Sequence, residues 1–130
     1  MHLILSAIIL LLGIIDMVIG IGFFVNPSES GVRFGLESPG AMGLSAMRGD
    51  FTAFFLVSGG FMAAGAWKRR GDLLVPALAL FAIAFTGRLV NLLVVGSYEG
   101  WWQPMAVEMT HIVVLALAIR AWRWGPMPAS

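Results

Sequence analysis

Four stretches, roughly 3–25, 44–66, 73–95 and 105–124, are predominantly apolar, and each reaches the length of about 20 residues that an α-helix needs to cross a hydrocarbon core. Little of the 130-residue chain is left over for connections. A soluble fold is excluded on composition: 59% of residues are hydrophobic and 12% charged, about half the charged share of an ordinary soluble domain. So small a body cannot hide that much apolar surface from water. The expected fold is therefore all-α, an integral membrane four-helix bundle, with residues 1–130 forming a single transmembrane domain.

The breaks between the stretches carry turn chemistry. "NPSESGVRFGLESPGAMG" is rich in Gly, Pro and Ser, "KRRGD" is a tight charged turn, and "GSYEGWWQP" ends in a proline suited to a first helical position. The opening "MHLILSAIILLLGIIDMVIGIGFFV" lacks both the basic start and the A-x-A cleavage pattern of a signal peptide, so an uncleaved first span is expected. Lys68, Arg69 and Arg70 lie between spans two and three, and Arg120 and Arg123 at the end of span four. The other two connections hold Arg33 against Glu29, Glu37 and Glu99. The positive-inside rule then places both termini and the "KRR" turn in the cytoplasm of a bacterial inner-membrane, multi-pass protein. Trp67, Trp122 and Trp124 mark the inner interface in this arrangement, and Trp101 and Trp102 the outer.

With that orientation the ionisable residues gather at one depth. At 1.5 Å per residue, Asp16 lies about 13 Å below the outer end of its span, and Arg48 and Asp50 about 6–9 Å. Arg88 is about 10 Å deep, Asn91 about 6 Å, Glu108 about 5 Å and His111 about 10 Å. The arginines at the inner end apart, every ionisable side chain in the spans falls in the outer half. An intramembrane charge costs about 2.5–3.5 kcal/mol at mid-bilayer on insertion scales, so it faces the bundle interior and finds a partner. Arg88 shares a helix face with Asn91, and Glu108 with His111. Asp16 lies on the face of Gly13 and Gly20, small residues that permit close helix approach. Arg48 and Asp50 point about 200° apart on an α-helix, so each needs a partner on another helix. Arg48 aligns with Thr52, Gly59 and Ala63, and Asp50 with Ala46, Ala53, Gly60 and Ala64. Both rows are rich in small residues, which predicts close packing of span two on two sides.

Several functions are disfavoured. The net charge of +1 offers no basic face for nucleic acid, and the absence of cysteine excludes disulfides, thiolate metal sites and Cys nucleophiles. "EMTH" has the E-x-x-H spacing of carboxylate-bridged di-iron bundles, but it occurs once. No metal or other cofactor is expected. A histidine poised by a neighbouring carboxylate for proton exchange suits the pair better. Arg48-Gly49-Asp50 lies inside a span, so an adhesive reading of this triplet is set aside.

"GFFVNP" near the end of span one, "MRGDF" opening span two, "GRLVNLLVVG" closing span three and "EMTHIVV" in span four occur in an order that resembles a bacterial family. It is the set of small four-helix membrane proteins catalogued as domain of unknown function 4345. The resemblance covers nearly the whole chain and implies a four-helix inner-membrane bundle without an established activity. The residues themselves predict a charged pocket near the outer face, built from Arg48, Asp50, Arg88, Asn91, Glu108 and His111 with Asp16 beneath. Such a pocket would hold a small polar or anionic ligand such as a lipid headgroup, with Arg48 and Arg88 as the anion contacts. Two alternatives stand beside it. One is an accessory subunit whose polar cluster meets a membrane-protein partner or a second copy. The other is an enzyme or proton-coupled carrier using Glu108 and His111.

Overall fold

The first helix, α1 (His2–Val25), buries Leu5, Ile9, Gly13, Asp16, Gly20 and Phe23, spaced three or four residues apart on one face. Its other faces leave Leu3, Leu11, Val18 and Ile21 exposed. The structure is a computed structural model that describes residues 1–37 and 40–122. Arg123 and Trp124, placed at the inner interface by the sequence, lie outside the described residues. After α1 the Asn26 side chain accepts the Glu29 N–H, and Pro27 occupies the first turn of a short helix, α2 (Pro27–Val32). This helix was not expected within the Gly/Pro/Ser-rich connection.

Three long helices follow: α3 (Ala41–Lys68), α4 (Gly71–Val94) and α5 (Trp102–Trp122). Within α3 the segment Met47–Phe51 winds as a π-helix, and α4 opens with a 3₁₀ turn, Gly71–Leu74. Arg69 closes α3 in the left-handed conformation, φ 50°, while the N–H of Arg70 returns to the Gly65 carbonyl at 2.9 Å. Pro104 is the third residue of α5 rather than the first. Its missing N–H is harmless there, because the first four N–H groups of a helix have no intrahelical acceptor. Helices α1, α3, α4 and α5 are each long and apolar enough to cross a membrane, and no strand occurs among the described residues.

Glycine sets the packing of α1 on α3, the most extensive helix contact. A Cβ on Gly13 would stand 2.8 Å from the Gly59 carbonyl oxygen, and one on Gly59 would stand 2.5 Å from that of Gly13. Both obstacles are backbone, so neither can move aside, and the two helices approach as closely as small residues allow. The expectation of a second close approach, along Gly60, fails: nothing lies within 4 Å of a Cβ built there, and Ala53 is exposed. On α4, helix α3 makes side-chain contact instead, with the Phe54 and Phe81 rings 5.5 Å apart.

Two apolar clusters result. The larger, including Ile9, Met62, Leu74, Ala77, Leu115 and Trp122, fills the end of the bundle near the "KRR" turn. There Trp122 Nε1 donates to His2 Nδ1 at 3.0 Å, and Ser6 Oγ to the Ala66 carbonyl at 2.7 Å. The smaller cluster, Phe23, Met47 and Phe55, lies at the opposite end.

Candidate functional site

Polar groups occupy the level between these clusters. His111 Nε2 lies 3.0 Å from Asp16 Oδ2, joining α5 to α1, and both side chains are almost fully buried. His111 Nδ1 lies 2.8 Å from the Val107 carbonyl oxygen. A carbonyl only accepts, so Nδ1 carries hydrogen, and Nε2 and the carboxylate must share one further proton. As an imidazolium with a carboxylate, or as a neutral imidazole with a carboxylic acid, the pair has no net charge. That is how two ionisable groups can occupy an apolar interior. Phe81 stacks on the imidazole, with centroids 4.1 Å apart.

A second pair joins α4 to α5. Arg88 Nε donates to Glu108 Oε1 at 2.6 Å, with the arginine side chain 36% exposed and the carboxylate nearly buried. Glu108 Oε2 is buried and has no hydrogen-bond partner. Glu108 and His111 do share a helix face, but they do not form the proton pair expected of "EMTH". Each side chain reaches a different neighbouring helix, where an ionic partner is available.

Beside the two pairs lies a cavity of about 510 Å³. Asp16, Asp50, Arg88 and Glu108 line it, and its remaining wall is mostly aromatic: Phe34, Phe51, Phe54, Phe55 and Phe81. The π turn sits at this wall, and the wider winding of such turns re-aims side chains relative to an α-helix. Asp50, within that turn, is exposed and has no cation within ion-pair distance among the described residues.

Three of the sequence-predicted residues do not line the cavity: His111, held in its pair with Asp16, and two that lie elsewhere. Arg48 Nε donates to the Phe24 carbonyl at 2.9 Å. That carbonyl belongs to the last turn of α1, where helix acceptors are unpaired and the dipole favours a cation, so Arg48 acts as a cap there. It borders a separate, shallower hollow with Phe24, Leu44 and Ser45. Asn91 is exposed on α4 and does not line the cavity. A clamp of Arg48 with Arg88 is therefore not assembled. Thr52, in the same row as Arg48, has a buried Oγ1 without a partner.

The phenylalanines were missed by a search for charge. Phe51, Phe54 and Phe55 stand at i, i+3 and i+4 in "DFTAFF", a legible aromatic face next to Asp50. Phe34 gave no such signal. It comes from the connection after α2, which folds back to bring its ring 5.3 Å from Phe23 and 5.6 Å from Phe55. No grouping of three or more His, Asp or Glu able to hold a metal occurs among the described residues. The chain matches no protein-family model, no curated protein and no solved structure.

Proposed function

We propose that this is a small multi-pass membrane protein that binds an amphipathic, lipid-like ligand. The cavity carries the proposal: five phenylalanines accommodate an apolar body, while Asp50, Arg88 and Glu108 offer sites for a polar head. Its volume falls in the range of small-molecule sites, about 300–1,000 Å³. In the proposed orientation both termini are cytoplasmic, and the polar level, with the cavity, lies in the outer half of an inner membrane. The resemblance to the four-helix family implies no activity, so the functional proposal rests on the cavity. Because Arg48 is engaged with α1, Arg88 is the one cation at the cavity wall among the described residues.

Ala84 lines the cavity, and an indole in its place would occupy the volume. Native mass spectrometry from non-ionic detergent should show a one-to-one adduct with a neutral single-chain amphiphile such as dodecanol. Ala84→Trp should abolish that adduct, whereas Val113→Trp, on an exposed face of α5, should preserve it. Equal retention by both variants would mean that the amphiphile associates with the outer surface and that the cavity is not a binding site.

A further inference from the structure

The unmatched groups in the cavity specify the ligand's head. Arg88 and Glu108 cancel in charge, and Asp16 and His111 share a proton and cancel as well. Of the charged residues lining the cavity, Asp50 alone is then uncompensated, so the site carries a net negative charge. A second observation is independent of charge. Glu108 is only 7% exposed and lines the cavity, yet its Oε2 lacks a hydrogen-bond donor. A buried acceptor left unmatched calls for an N–H or O–H from the occupant. The aromatic wall adds a third requirement, since the faces of phenylalanine rings attract cations.

Resting on the binding reading above, we infer that the ligand presents a primary ammonium group on an apolar chain. An ammonium supplies three donors and one positive charge. Rotation of the Glu108 carboxyl group, whose side chain lines the cavity, brings its unmatched oxygen to one N–H, the charge is balanced by Asp50, and the chain lies against Phe51, Phe54, Phe55 and Phe81. An anionic head would instead face the uncompensated Asp50 and leave Glu108 Oε2 unmatched. An aminophospholipid and a free long-chain amine both carry such an ammonium, and the site chemistry is common to the two.

Four probes with the same chain separate these requirements: dodecylammonium, dodecyltrimethylammonium, dodecanol and dodecyl sulfate, each scored as a one-to-one adduct by native mass spectrometry. Dodecylammonium should be retained about tenfold more tightly than dodecanol, with the trimethylated probe, charged but without N–H, in between. Asp50→Asn, at an exposed position, should bring dodecylammonium down to the level of dodecanol. Equal retention of the ammonium and the alcohol, or preference for the sulfate, overturns the ammonium assignment and leaves the cavity proposal standing. Failure of every probe to form an adduct removes the cavity proposal and this inference with it. Displacement of dodecylammonium by phosphatidylethanolamine supports the ammonium site with a lipid as its source, and resistance to displacement supports it with a free amine.

Discussion

Arg88 and Glu108 illustrate how unequal the two ends of one ion pair can be. The guanidinium is partly exposed, whereas the carboxylate is nearly buried and already has one oxygen unmatched. Arg88→Ala would leave Glu108 with neither oxygen partnered, and stranding a buried charge in this way costs about 3–5 kcal/mol. Removing the charge as well, in Arg88→Ala/Glu108→Gln, should recover most of that loss. Unfolding of the purified protein in a denaturing detergent would measure both, and a double variant no more stable than the single one would show that the pair is not coupled. Asp16 and His111 differ in kind, because both are buried and their shared proton makes them a neutral unit. Neutrality, rather than strength, lets that pair sit beneath an aromatic ring.

At the scale of the helices, the α1–α3 crossing fixes the rotation of α1 and thereby aims Asp16. Gly13→Ala would press a methyl group onto backbone of α3 and should destabilise the bundle by about 1–3 kcal/mol, the usual range for overpacking. Gly60→Ala, which meets nothing within 4 Å, should be neutral or slightly stabilising, and thermal unfolding of the two variants makes the comparison. Hydropathy and helix periodicity revealed the four long helices and the common level of their polar residues, because both depend on local composition. The pairings were not legible. They depend on how each helix is rotated, and that is decided by contacts such as Gly13 on Gly59 between residues far apart in sequence. At Met47–Phe51 the α period itself fails, so a rotation of about 200° between Arg48 and Asp50, drawn from α geometry, does not describe the π turn. Arg48 was misassigned for a related reason. The unpaired carbonyl that holds it, that of Phe24, belongs to backbone and leaves no mark in the pattern of side chains.

For the molecule as a whole, the proposed orientation rests on Lys68, Arg69 and Arg70 where α3 gives way to α4, together with Arg120 and Arg123 at the end of span four. A reporter fused to the C-terminus should fluoresce as a cytoplasmic green protein and be inactive as an alkaline phosphatase. Replacing the three basic residues with glutamine should produce molecules of mixed orientation; an unchanged uniform topology would show that other determinants set the direction. The Asp16–His111 pair also has a consequence for biosynthesis. Its members are 95 residues apart in the chain. At about 5–20 residues per second, Asp16 emerges from the ribosome some 5–20 s before the residue that neutralises it exists. In the proposed membrane setting α1 would hold an unpartnered carboxyl group during that interval on its own hydrophobicity, and the mean hydropathy of its 18-residue apolar stretch, 2.8, is the highest among the four long helices. In that setting the apolarity of the first helix would serve as a temporary substitute for a partner not yet made.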